Sequence, residues 1–168
     1  MLRIGLCDDI ADARLLLEDA LERALEINGW EAQFFQFSSG EGLLDWYAKH
    51  LGELDLVFLD MEMKTLSGID TAKRLRALDD SLQLAFCTSY SDYVFDGYGT
   101  GALGYLLKPP RQEQLEEVLR RAQAALLRGS TKPTSPKTAT PPTVCPIRRS
   151  SISHRNGAKC TASPQSAR

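Results

Sequence analysis

Residues 54–63 read LDLVFLDMEM. Leu56, Val57, Phe58 and Leu59 are apolar at four successive positions, without the alternation of a strand that shows one face to water. These residues predict a strand over 54–59 that is buried on both sides, as the central strand of a parallel sheet is. The run ends on Asp60, so the first polar residue beyond this buried strand is a carboxylate.

Working outward, short apolar or aromatic runs at 3–7 (RIGLC), 31–37 (EAQFFQF), 83–88 (QLAFCT) and 102–107 (ALGYLL) predict four more strands, spaced widely enough for crossovers. Helical patterns lie between them. Residues 12–27 carry Leu17, Leu21, Ala24 and Leu25 on one face and stop at Asn28-Gly29. Ser38 with Glu41 predicts a capping box for a helix over 39–51, and Ser67 with Asp70 a weaker one for 68–78. Residues 111–127 place Leu115, Val118, Leu119, Ala122 and Leu126 on one stripe, between Pro109-Pro110 and Gly129. The weakest helix is 91–99, where Gly97, Gly99 and nearby Gly101 each cost about 1 kcal/mol of propensity relative to Ala. Five strands alternating with five helices call for an α/β fold, a doubly wound parallel sheet covered on both faces by right-handed crossovers.

The chain has 168 residues, 43% hydrophobic and 25% charged, enough for one ordinary core with something extra. No segment approaches the roughly 18 consecutive apolar residues of a membrane span, and the opening MLRIGLCDD turns acidic where a signal peptide would be apolar. The expectation is a cytoplasmic protein without a membrane partner. Cys7, Cys87, Cys145 and Cys160 form no CxxC pair and have no His at ligand spacing, which argues against a zinc site or a disulfide framework. Cys7 and Cys87 read as small core residues.

In an open α/β sheet, ligands sit beyond the carboxyl ends of the strands. Here those positions hold Asp8-Asp9, Asp60, Thr88-Ser89 and Lys108-Pro109. Taken singly, an acidic pair after a strand reads as a helix cap and a Lys before Pro as a turn residue. Jointly they exceed what capping needs, because three carboxylates at one edge repel one another unless protonated or neutralised by a cation. Magnesium fits that need, with oxygen ligands and room for waters and phosphate oxygens. Lys108 adds a positive charge, and the Thr88 hydroxyl can donate a hydrogen bond to a phosphate oxygen. An aspartate that attacks phosphorus beside a metal and a lysine is a known form of covalent catalysis.

CDD after the first strand, FLDMEM at the third, SGIDTAKRLR opening the third helix, FCTSY at the fourth strand and GYLLKP at the fifth resemble the receiver domain of bacterial two-component response regulators, CheY-like, over roughly residues 1–128. The wording TSYSDYVFDGYGTGALGYLLKP is similar to receivers that precede LytTR-type DNA-binding domains. The resemblance implies the flavodoxin-like strand order 2-1-3-4-5 and a phosphorylation switch in signal transduction, not an enzyme turning over a small substrate: a sensor histidine kinase supplies the phosphoryl group, and control of transcription is the expected output.

Carried over by position, the resemblance makes Asp60 the phosphoacceptor. It gives magnesium to Asp8, Asp9, Asp60 and the backbone carbonyl of Glu62. Thr88, Ser89 and Lys108 surround the phosphoryl group, Tyr105 takes the switch-aromatic position, and the bond before Pro109 is expected to be cis. The surface of 91–99, 102–107 and 111–127 would change on switching and pair with a partner or a second copy. Where the family commonly has Pro after FLDMEM, this chain has Lys64, which puts the phosphoryl lifetime in question. Two other readings are a haloacid-dehalogenase-like phosphatase, which needs its nucleophile on the first strand with a second Asp two residues later, and an interaction module that has lost the switch.

Charge divides the chain. All 22 acidic side chains and 13 of the 20 basic ones lie in 1–129, while 130–168 holds 7 basic ones, six of the eight prolines and many Ser and Thr. Such a stretch buries too little apolar surface to offset ordering, so a disordered basic tail is expected over 129–168. The alternative is an out-of-frame or lost LytTR domain: permitted codons for PIRRSSISHRNGAKCTA, read two bases off, can spell DPEVLYLASERRKVH, which resembles the EILYIE...RKVH opening of that domain. DNA would be a partner only with such an effector domain present.

Overall fold

A computed structural model of the chain describes residues 1–89 and 100–129. The helix predicted at 91–99 and the tail reading over 130–168 lie outside the described residues. The elements are β1 (Leu2–Cys7), α1 (Ala11–Asn28), β2 (Ala32–Phe37), α2 (Gly40–Tyr47), β3 (Leu56–Leu59), α3 (Gly68–Leu78), β4 (Gln83–Thr88), β5 (Gly104–Leu107) and α4 (Gln112–Gly129). The five strands form one parallel sheet in the order β2-β1-β3-β4-β5, the topology the sequence resemblance implies.

The unbroken apolar run of β3 has the burial it predicts: all four residues are buried. Alternate residues of the inner strands serve two cores. Ile4, Leu6, Leu56, Phe58, Ala85 and Cys87 join Leu17, Leu21, Leu115 and Leu119 on the side of α1 and α4. Cys7, Val57, Leu59, Leu84 and Phe86 join Leu43, Tyr47, Ala72 and Leu75 on the side of α2 and α3. Each such buried aliphatic or aromatic side chain contributes roughly 1.5–3 kcal/mol relative to exposure, so neither face can be stripped without losing the sheet.

Helix ends follow side-chain chemistry with two corrections, both at α2. Gly29 closes α1 at φ 66, a left-handed turn that suits a residue without Cβ. The cap of α2 is Ser39, whose hydroxyl accepts from Gly42 N at 3.2 Å, and not Ser38. Adjacent serines offer the same acceptor oxygen, and only the path of the chain out of β2 selects between them. The helix also stops at Tyr47 instead of reaching 51, with Gly52 at φ 77 turning the chain back. Ser67 caps α3, accepting from Asp70 N at 3.1 Å.

Strand limits are also shorter than the apolar runs. β3 begins at Leu56, because Asp55 turns its carboxylate to Arg3, accepting from its backbone N at 2.9 Å and its Nη2 at 2.7 Å. Before β4, the Arg76 guanidinium of α3 donates to the carbonyls of Asp80 (3.0 Å), Leu82, Thr100 (2.9 Å) and Gly101 (3.2 Å). One side chain thus ties together the chain entering β4 and the chain leading to β5.

Candidate functional site: an acidic cluster with a half-buried lysine

Parallel register decides what meets at the sheet edge. Cys7 pairs with Leu59, so the residues that follow, Asp8 and Asp60, emerge side by side. Asp60 N donates to Cys7 O at 2.8 Å, and Asp8 N to Phe37 O at 3.1 Å, which fixes both carboxylates to the strand ends. Thr88 pairs with Leu107, and Lys108 N donates to Thr88 O at 2.8 Å, which carries Lys108 past the same edge. The Lys108–Pro109 peptide bond is cis.

One carboxylate oxygen from each of Asp8, Asp9 and Asp60 lies within 4.8 Å of the other two. Asp8 and Asp60 are buried, and Asp9 is half-buried. Lys108 Nζ stands 2.5 Å from Asp8 Oδ2 and 3.2 Å from Asp60 Oδ2. Asp8 Oδ1 also accepts from Ile10 N at 2.9 Å, which holds its side chain while α1 begins. Burial pushes the Asp60 carboxyl above its ordinary range; the Lys108 charge pulls it down and Asp8 adds a further upward push. For Lys108, burial works to lower the pKa, yet its hydrogen bond to Asp8 and the charges of Asp60 and Asp8 win and raise it. The ammonium therefore stays charged among carboxylates that outnumber it.

That surplus of negative charge, presented by oxygen donors alone, suits a hard divalent cation such as magnesium. The sequence-predicted residues are distributed unevenly around it. Asp8, Asp9, Asp60 and Lys108 converge. Thr88 is buried at the end of β4 and Ser89 is exposed next to it. Glu62 is exposed and lines, with Asp9, a cleft of about 570 Å³. Tyr105 lies half-buried on the α2–α3 side, its ring stacked on Phe86 with centroids 5.2 Å apart.

Two contributors escaped the spacing argument. A Cβ on Gly68 would stand 2.1 Å from the Asp60 carbonyl oxygen, so the bare Cα lets α3 start against the backbone of the acidic residue. Glycine after the capping Ser67 was the only available hint. Arg14 of α1 donates to the Asp8 carbonyl at 2.5 Å, a partner that no local motif marks.

The family profile described as "Response regulator receiver domain" matches residues 4–120. The sensory transduction protein LytT of Bacillus subtilis is 29% identical over 121 residues, 72% of this chain and 48% of LytT. The transcriptional regulatory protein ZraR of Escherichia coli is 31% identical over 119 residues, 70% of this chain and 25% of ZraR. This chain thus matches half or less of the length of either relative. Among solved structures, the response regulator TrrA of Thermotoga maritima, in complex with Mg(2+)-BeF, has a TM-score of 0.62 and 28% identity, with 73% of this chain and 99% of that one covered. The REC domain of AraT from Geobacillus stearothermophilus has a TM-score of 0.63 at 22% identity, with 77% and 98% covered, a likeness of fold. With its sheet order, its acidic edge and a family match over most of its length, the chain belongs to the response regulator receiver domains, the phosphoacceptor signalling modules of two-component systems.

Proposed function

We propose that Asp60 is the phosphoacceptor. One oxygen of its carboxylate attacks the phosphorus of a phosphohistidine on a sensor kinase; the P–N bond breaks, its electron pair stays on the imidazole, and an aspartyl phosphate forms. The observation that carries this reading is the Asp60–Lys108 pair at 3.2 Å within a cluster of three carboxylates. Asp8, Asp9, Asp60 and the backbone carbonyl of Glu62 would hold magnesium, which supplies positive charge to the transferring oxygens when bound. Lys108, beside Asp8 and Asp60, would neutralise part of the charge developing on the phosphoryl oxygens. Thr88 and Ser89 flank the phosphoryl group, and a shift of Thr88 with Tyr105 passes its presence to the surface around β5 and α4.

On this reading the chain catalyses only its own phosphorylation and dephosphorylation, works in the cytoplasm, and pairs through the β5–α4 side with a partner or a second copy. Control of transcription would need an effector domain. The stretch from residue 130 is read either as a basic tail or as such a domain out of frame, and the coding DNA beyond codon 130 distinguishes them.

Incubation of the full chain with acetyl phosphate and magnesium should add one phosphate, read by intact mass, and Asp60→Asn should abolish it. An undiminished phosphate signal in Asp60→Asn would overturn the assignment.

A further inference from the structure

Among the described residues, two ammonium groups reach the acidic cluster, from different sides and in different ways. Lys108 is largely buried and sits between Asp8 and Asp60. Asp9, the third carboxylate, instead has Lys64 Nζ 3.8 Å from its Oδ2. The Lys64 side chain is 85% exposed against 17% for Asp9, so its charge arrives from solvent, across the cleft whose walls include Asp9, Glu62 and Lys64 itself. Its loop is tied down close by. Thr65 Oγ1 donates to Glu41 Oε2 at 2.8 Å, and Gly68 N donates to Met61 O at 3.0 Å. The ammonium is thereby kept near Asp9 at a high local concentration, as a tethered ligand is.

We propose that Lys64 is a built-in competitor of the divalent cation, pairing with Asp9 when no metal is bound and giving way when one enters. The inference rests on the metal reading of the acidic cluster given above. An ammonium and a divalent cation drawn to the same carboxylate repel each other, so Lys64 and a metal compete for Asp9. Loading the site therefore means breaking the Lys64–Asp9 pair, and the metal affinity is weakened by that amount. Because the lysine is exposed, the effect is moderate and salt-dependent.

Calorimetric titration of the full chain with magnesium chloride tests this. Lys64→Ala and Lys64→Gln should bind magnesium about threefold to tenfold more tightly than the parent chain, while Lys64→Arg, which keeps the charge, should stay close to it. Lys73→Ala removes another exposed lysine, one paired with Asp70 at 3.8 Å on α3, and should leave the affinity unchanged. In an Asp9→Asn background, removal of Lys64 should lose most of its effect. Equal affinities for Lys64→Ala and the parent chain, or weaker binding in Lys64→Ala, would overturn the competition alone. Absence of magnesium binding in both chains would overturn the metal reading and the competition with it.

Discussion

Asp60 Oδ2 and Lys108 Nζ stand 3.2 Å apart although they leave strands that are not neighbours, β3 and β5, with β4 between them. The lysine side chain spans a whole strand spacing to reach the acidic edge. Its charge is shared with Asp8 at 2.5 Å, so neither carboxylate has it alone.

This sharing leaves Asp60 incompletely compensated. Burial, and after it the charge of Asp8, holds its carboxyl above the ordinary range against the pull of Lys108. An acid whose folded pKa is raised binds its proton more tightly when folded; the stability it adds exists at low pH and is lost as pH rises through the folded value. At neutral pH the ionised Asp60 is thus a burden on the fold. Asp60→Asn is expected to raise the unfolding free energy by on the order of 1 kcal/mol at pH 7, with the gain shrinking as pH falls toward the carboxylate range. Urea denaturation across pH reads this directly, and a less stable Asp60→Asn at pH 7 would contradict it.

Gly68 tests how tightly α3 abuts the site. A Cβ there meets backbone, 2.1 Å from Asp60 O and 2.9 Å from Met61 Cα, and backbone cannot rotate away. Gly68→Ala should cost roughly 2–4 kcal/mol and slow phosphorylation by acetyl phosphate, since Asp60 itself must move. Gly40→Ala is the comparison: its Cβ would meet the buried Thr71 hydroxyl at 2.1 Å, whose displacement costs one hydrogen bond, to Ser67 O, and no backbone shift, so the loss should be smaller. If Gly68→Ala were as mild as Gly40→Ala in thermal melts, the close approach would carry no energetic weight.

Arg76 is expected to matter for stability out of proportion to its place at a helix end. Its guanidinium satisfies carbonyls from the turn before β4 and from residues 100 and 101. Arg76→Met keeps much of the stem but strands those acceptors, at a cost of about 2–3 kcal/mol. Arg76→Lys, with one ammonium in place of a fork, should recover only part of it. A denaturation midpoint unchanged in Arg76→Met would show that water replaces the guanidinium without loss.

Much of this was legible in the chain because it depends on local pattern. Four apolar residues at 56–59 marked the central strand, the stripe of Leu17, Leu21, Ala24 and Leu25 marked the buried side of α1, and the residues after each strand marked the acidic edge. What escaped depends on the path of the backbone. The choice of Ser39 over Ser38, the early end of α2 and the start of β3 at Leu56 are set by how the chain leaves one element and meets the next. The acceptors of Arg76 are carbonyls, which every residue has, so no residue type announces them. Lys64 stands out in the sequence as a departure in type, but its proximity to Asp9 is a product of the fold.

The two cysteines beneath the acidic edge give the molecule a pair of internal clocks. Cys7 closes β1 on the α2–α3 side and Cys87 lies near the end of β4 on the α1–α4 side, both buried, with burial pushing each thiol up to about 12. Neither presents a thiolate to an alkylating reagent while the sheet is closed. The rates at which peptides containing each one acquire label therefore time the parting of the two faces separately, and comparison with and without acetyl phosphate shows which face loosens when the switch is thrown.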